Sequence, residues 1–353
     1  MARVLMKGNE AIALAAVKGG CDAFFGYPIT PQNEIPEFLS KYMHEHEKVF
    51  VQAESEVAAI NMVYGAAGAG VRVMTSSSSP GIALKQEGIS YIAAAELPCV
   101  IVNVMRGGPG LGGIQPSQAD YKQITRGGGN GDYYVVAYAP ENLQETVDIM
   151  KEAFDVADYY RNPVMIAVDG LIGQMMEPVD LDRPTPSRNL PNKDWATTGV
   201  STGKDRRIVT SIHLDPRDLE RHVWKLHAKY QEIKKNEQRF ELINMDNAEF
   251  VIVAYGSMSR ICRSSIELLK EEGINVGIIR PITIWPYPQK AFDAIPSTIK
   301  GILCAELSTG QMLDDVLIAN NGRHKVHFFG RTGGMMPDPE EIVEAIKKMK
   351  KEV

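Results

Sequence analysis

Cysteine is scarce in this chain, with four in 353 residues, and no two stand at CxxC spacing. Cys21, Cys99, Cys262 and Cys304 lie too far apart to read as a zinc or iron–sulfur ligand set, and they imply no disulfide framework. Such usage suits a reducing compartment. Cys21, Cys99 and Cys304 stand in or beside apolar runs, where small core residues are expected. No apolar run approaches the length that spans a bilayer. The run Ala11–Val17 imitates a signal peptide, but Asn9 and Glu10 interrupt it and Lys18 ends it, so an amphipathic first helix is predicted. A cytoplasmic protein without a membrane partner is the expectation.

An excess of basic charge is also missing. The formal net charge is −6, which leaves no general footprint for nucleic acid. The clusters Lys204–Arg207 and Lys347–Lys351 are short and read as solvated surface and helix-end charge. His213, His222 and His227 match no zinc spacing, so no metal site is expected in this chain.

What is present describes a globular protein of two or three domains: 44% hydrophobic and 23% charged residues. Asn9 is a predicted N-cap for a helix over Glu10–Lys18, stopped by Gly19-Gly20. Strands predicted at Asp22–Phe25, Val49–Val51, Val71–Met74, Pro98–Met105, Tyr133–Ala137 and Val164–Val168 alternate with helices. That rhythm indicates a parallel α/β sheet over residues 1–175. Residues 176–246 break it: Pro178, Pro184, Pro186 and Pro191 mark an extended linker. A polar helix over Asp215–Glu241 then places Leu219, Val223, Leu226, Tyr230 and Ile233 at helical spacing. The rhythm returns over 247–353 as a second, smaller α/β domain.

Two motifs compete for chemistry. Gly108–Gly113 fits GxGxxG, the signature a nicotinamide-dependent dehydrogenase would use. That fingerprint needs a helix opening behind it, and Gln115-Pro116-Ser117 intervenes. The second motif is Gly26-Tyr27-Pro28-Ile29-Thr30-Pro31, a stiff loop closing the Ala23-Phe24-Phe25 strand. Thr30 follows that strand, Glu56 follows the next at a helix start, and Arg106 follows Pro98–Met105. In a parallel sheet these ends share one edge, where hydroxyl, carboxylate and guanidinium suit a small anionic substrate. Each has a plainer reading as turn cap, helix-start charge or surface pair.

Gly26–Pro31, Glu54-Ser55-Glu56, Thr75–Gly81 and Arg106-Gly107-Gly108-Pro109 together resemble the α subunit of 2-oxoacid:ferredoxin oxidoreductases, in order and over nearly the whole chain. The resemblance implies a pyrimidine-binding domain for thiamine diphosphate, followed by a transketolase C-terminal-like domain. It also implies coenzyme A as co-substrate and ferredoxin as electron acceptor. Glu56 matches the glutamate that hydrogen-bonds the aminopyrimidine ring nitrogen. A carboxyl sharing a proton there favours the imino form of the neighbouring amine. Spacing does not separate Glu54 from Glu56; the Ser-Glu pair before small residues aligns Glu56. Thr30 matches the threonine beside the reacting carbons, and Arg106 the arginine for the substrate carboxylate. Tyr27, Pro28 and Ile29 would line the cofactor with Thr30 and Glu56.

Arg106–Asp120 is most similar to the branched-chain type, acting on 2-oxoisovalerate, with 2-oxoglutarate enzymes the alternative. A non-catalytic scaffold would not need Thr30, Glu56 and Arg106 together. The chain has no Gly-Asp-Gly, so a partner β subunit is expected to supply Mg²⁺ and the diphosphate half of the site. The [4Fe-4S] clusters are expected on partner subunits, γ and ferredoxin-like δ. The chain alone is expected to be inactive.

Overall fold

The computed structural model describes residues 3–199 and 205–352; Lys204, from the first basic cluster, lies outside them. The chain opens with β1 (Val4–Lys7) and α1 (Gly8–Lys18), then β2 (Ala23–Gly26), α2 (Glu34–Glu45), β3 (Val49–Gln52) and α3 (Glu56–Gly68). Next come β4 (Val73–Ser77), α4 (Ser79–Ala94), β5 (Cys99–Met105), α5 (Tyr121–Thr125), β6 (Val136–Tyr138), α6 (Leu143–Tyr160), β7 (Pro163–Asp169) and α7 (Gly170–Gln174). The central strands β5 and β7 are buried along their whole length, as expected of parallel strands covered on both faces.

Local chemistry sets the helix starts. Ser55 is extended and accepts from the Ala58 amide to cap α3, and Asn142 caps α6 through Glu145 in the same way. Asn9 is not the cap of α1. Lys7, at the end of β1, turns directly into the helix, so Asn9 falls in the first turn, buried, with its side chain free for other work.

The serines after Met74 also differ from expectation. Thr75-Ser76-Ser77 belong to β4, in register with Ile101–Asn103 of β5, and are fully buried. Pairing with a long central neighbour overrides their weak strand propensity.

Pro178, expected in an extended linker, lies in β8 (Met176–Val179), antiparallel to β1 with Leu5 opposite it. A two-stranded ribbon tolerates the missing donor. The long helix α8 (Pro216–Asn236) buries Leu226, Tyr230 and Ile233 while Leu219 stays exposed. It ends short of Glu241 because β9 (Phe240–Ile243) pairs antiparallel with β11 (Val276–Pro281). His222 donates from its ring to the Ala94 carbonyl at 2.7 Å and stacks on His213.

The remaining elements are β10 (Phe250–Val253), α9 (Gly256–Glu271), β12 (Thr283–Trp285), β13 (Gly301–Glu306), α10 (Leu313–Asn320), β14 (Val326–Gly330) and α11 (Pro339–Lys351). Among the described residues a five-stranded sheet runs β14-β13-β10-β11-β9, and a seven-stranded sheet runs β12-β6-β7-β5-β4-β2-β3. β12 crosses back to pair with β6, so the later part of the chain completes the first sheet. All four cysteines are buried and free, Cys262 included. No helix among the described residues is long and apolar enough to cross a membrane.

Candidate active site at the strand ends

β2, β3, β4 and β5 are neighbours and parallel, so the segments that follow them emerge along one edge. The loop after β2 is held almost entirely through its backbone. The Pro31 carbonyl accepts from Asn9 Nδ2 at 2.7 Å and Gln174 Nε2 at 3.0 Å, and the Tyr27 carbonyl from Gln32 Nε2 at 3.3 Å. Gln32 is anchored in turn by Ser76, whose hydroxyl donates to its Oε1 at 2.5 Å. Tyr27, Pro28 and Thr30 are thereby exposed on a fixed frame, with Ile29 half-buried. Among the described residues the Thr30 hydroxyl accepts only a long bond, 3.3 Å, from Asn33.

Glu54 and Glu56 part company here. Glu54 is exposed, whereas Glu56, first residue of α3, is 6% exposed and faces the ends of β4 and α4. Among the described residues its carboxylate makes no hydrogen bond and no ion pair. Gly81 leaves the room beside it: a Cβ there would lie 2.7 Å from Glu56 Oε1 and would collide with Ser77 Oγ. The hydroxyls of Ser77 and Ser78 are buried and unpartnered as well. Buried polar atoms without partners are costly, so these two hydroxyls, in the segment that faces a carboxylate without a hydrogen bond, mark a place for a polar ligand.

Arg106, 7% exposed, follows β5. Its Nη1 donates to the Thr30 carbonyl at 2.8 Å and its Nη2 to the Leu111 carbonyl at 3.2 Å, while Nε is buried without an acceptor. The Arg106 amide donates to Ser79 Oγ at 3.0 Å, and Ser79 donates to Asp120 Oδ2 at 2.7 Å. Asn103 Nδ2 reaches the same oxygen at 2.9 Å. Burial raises the Asp120 pKa against the opposing pull of Ser79, Asn103 and Arg106.

Gly107–Gly113 is a loop closed by the Gly113 amide on the Gly107 carbonyl, and no helix opens until Tyr121. A dinucleotide fingerprint therefore has no helix N-terminus to offer here. The following segment is pinned by the later sheet. Gln118, fully buried, donates to the Tyr255 carbonyl at 2.8 Å and accepts from the Leu307 amide at 2.9 Å.

Thr30 and Arg106 are thus joined directly, and Glu56 stands apart from them on the same edge. Sequence reasoning missed Asn9, Gln32, Ser79, Asn103 and Asp120, whose roles depend on partners that only the fold brings together. Lys85, also missed, left a signal. It falls on the buried stripe of α4 with Ile82, Ile89 and Ile92, where an apolar residue is expected.

A carboxylate without a hydrogen bond and two hydroxyls without partners among the described residues, packed close over Gly81, fit an aminopyrimidine ring, which presents donors and acceptors at its edge. Residues 14–241 match the family model "Pyruvate flavodoxin/ferredoxin oxidoreductase, thiamine diP-bdg", and residues 248–342 match "Pyruvate:ferredoxin oxidoreductase core domain II". The chain is 47% identical over 349 residues to ketoisovalerate oxidoreductase subunit VorB of Methanothermobacter thermautotrophicus, covering 99% of this chain and 98% of that one. It is 34% identical to the 2-oxoglutarate synthase subunit KorA of the same organism, covering 98% of each.

A solved 2-oxoglutarate:ferredoxin oxidoreductase from Magnetococcus marinus, with 2-oxoglutarate, coenzyme A and succinyl-CoA bound, is similar at a TM-score of 0.86 and 26% identity. That match covers 98% of this chain and 65% of the solved one. A split-gene transketolase, at a TM-score of 0.62 and 15% identity over 98% of each chain, shares the fold alone. This chain therefore belongs to the 2-oxoacid:ferredoxin oxidoreductase family, with a thiamine diphosphate-binding domain followed by a core domain II.

Proposed function

We propose that this chain is the pyrimidine-binding α subunit of a branched-chain 2-oxoacid:ferredoxin oxidoreductase. The complex decarboxylates 2-oxoisovalerate, passes electrons to ferredoxin and transfers the acyl group to coenzyme A. The observation that carries the reading is the Glu56 carboxylate, buried at the strand-end edge with no hydrogen bond or ion pair of its own among the described residues. When bound, thiamine diphosphate supplies a carbon nucleophile and an electron sink for loss of CO₂. Glu56 accepts the hydrogen bond of the pyrimidine ring nitrogen and holds the proton shared there. Tyr27, Pro28 and Ile29 form the wall beside the ring.

Thr30 presents its hydroxyl to the reacting carbons from a loop that cannot shift without breaking four backbone anchors. Arg106 uses two nitrogens to hold that loop and the glycine loop, and its Nε edge is left for the substrate carboxylate. The diphosphate and its Mg²⁺ belong to a β subunit, because this chain lacks Gly-Asp-Gly. The [4Fe-4S] clusters belong to γ and ferredoxin-like δ partners, because no cysteine pair here could hold one. A cytoplasmic complex fits the free, unpaired cysteines. Residues 1–175, 176–246 and 247–353 are its pyrimidine domain, connecting arm and second α/β domain.

The higher identity to a ketoisovalerate enzyme than to a 2-oxoglutarate enzyme favours a branched substrate. The purified complex, assayed with a panel of 2-oxoacids and ferredoxin, is expected to show its highest kcat/KM on 2-oxoisovalerate. A higher value on 2-oxoglutarate would reverse the assignment.

A further inference from the structure

Lys85 is the one lysine among the largest fully buried side chains of the described residues, with 0% exposure in the middle of α4. An ammonium in such a place is expensive unless it is hydrogen-bonded and faces a charge. It has both. Nζ donates to Thr75 Oγ1 at 2.5 Å and to the Ser76 carbonyl at 3.3 Å, both on β4. Lys85 stands one turn after Gly81, whose α-carbon packs against Glu56 of α3, and one turn before Gly88, which packs against Ile60 of the same helix, so its buried face looks onto α3. Glu56 is the carboxylate whose field reaches it, and the other titratable neighbour is the Cys99 thiol, on β5.

The two anchors are not arbitrary points of the sheet. Ser76 carries the hydroxyl that fixes Gln32 and so the loop bearing Thr30, and Ser77 and Ser78 follow with their unpartnered hydroxyls. Glu56 has no ion pair among the described residues, and the cofactor and the partner subunit would remove its remaining contact with water.

We propose that Lys85 is a positioning residue of the cofactor site: the buried counter-charge that faces Glu56 once the pocket closes, and the tie that fixes the end of β4 beneath it. The inference rests on the reading of Glu56 as the pyrimidine contact. It adds a residue that never touches the cofactor. An unbranched apolar side chain of similar length, as in methionine, would fill the space and keep the fold, but would leave Glu56 alone. Burial lowers the Lys85 pKa to about 7, against the pull of Glu56 and Cys99. The counter-charge is therefore present below neutrality and withdrawn above it.

Thiamine diphosphate with Mg²⁺ is titrated calorimetrically into the cofactor-free complex, with its partner subunits, between pH 6 and pH 9. The native complex is expected to bind about tenfold tighter than Lys85→Met at pH 6, the ratio falling toward one by pH 9. Titration of the diphosphate itself is common to both and cancels in that ratio. In a Glu56→Gln background, Lys85→Met is expected to change nothing at any pH. A Lys85→Met complex with native affinity across the range overturns the proposal. So does a loss that is equal at every pH and persists in the Glu56→Gln background, because that is the mark of a purely structural lysine.

If Lys85→Met does not assemble, the ratio of native to Glu56→Gln affinity carries the test, since it must change through neutrality; a constant ratio overturns the proposal. Failure of the underlying reading looks different: Glu56→Gln itself would then bind the cofactor and turn over as the native complex does.

Discussion

The guanidinium of Arg106 donates to the backbone carbonyl of Thr30 at 2.8 Å, across 76 residues of sequence, and so joins the loops that leave β2 and β5. The second nitrogen of the same fork holds Leu111. One side chain thereby sets the distance between the hydroxyl loop and the glycine loop. Arg106→Ala is expected to lower kcat/KM for the 2-oxoacid by at least about a hundredfold, since a charge-assisted bond and the loop clamp go together. Thiamine diphosphate affinity should move only a few-fold. Steady-state kinetics beside a cofactor titration checks both; a larger effect on the cofactor than on the substrate would remove Arg106 from the substrate side.

Glu56 and Glu54 should separate cleanly. Glu56→Ala is expected to reduce turnover by about two orders of magnitude or more, the usual scale for losing a positioned acid–base group. Subunit assembly should persist, with some loss of melting temperature because the fully buried Lys85 ammonium loses the carboxylate that offsets its charge. Glu54→Ala, at an exposed position, should retain activity. The opposite pattern in the same assay would exchange the two assignments.

Gly81→Ala tests the recess. The added methyl would stand 2.7 Å from Glu56 Oε1 and against Ser77, and Gly81 is not at a positive φ, so the penalty is space alone. Thiamine diphosphate binding should weaken by an order of magnitude or more, with about 1–3 kcal/mol of stability lost to overpacking. Calorimetric titration of the variant complex, with unfolding of the chain followed in urea, reads the two effects separately.

Gln118→Ala removes a fully buried side chain that bonds Tyr255 and Leu307. The Leu307 amide is left without a partner and the Tyr255 carbonyl keeps only the Ser259 amide, at 3.3 Å, which costs about 1–3 kcal/mol. The Arg106–Gln118 segment should become open to proteolysis before the rest of the chain. Native-like resistance of that segment in limited digestion would show that other contacts suffice to pin it.

Lys85 should give the chain a pH-dependent stability of definite sign. Unfolded, it keeps its proton up to the ordinary value of 10.5; folded, burial pushes that value down to about 7. Between these limits the unfolded chain binds more protons, and that by itself makes ΔG of unfolding rise with pH. The lysine costs the fold most below about 7, where both states carry the charge but only one solvates it, and the cost is relieved between about 7 and about 10.5 as the folded form sheds its proton. Lys85→Met should lack this slope. Urea midpoints of the two proteins across that window make the comparison, and parallel curves would contradict the sign.

Local rules carried much of this protein. The alternation of strands and helices, the apolar stripe Leu226–Tyr230–Ile233, and the serine and asparagine caps of α3 and α6 need only neighbours in sequence. So does the stiff loop from Gly26 to Pro31, whose prolines and flanking strand are adjacent. What depended on the folded chain is everything that joins distant carbonyls and buries charge. Asn9 leaves its capping role because β1 runs straight into α1. Pro178 enters a strand because Leu5 lies opposite it, and Thr75–Ser77 become strand because β5 is there to pair with them. The choice between Glu54 and Glu56 belongs to the same class. The two residues are two positions apart with the same side chain; only the packing of α3 against α4 and β4 buries one and exposes the other. Periodicity is a property of a segment, whereas burial and hydrogen-bond partnership belong to the space between segments, and that space exists only once the sheet has closed.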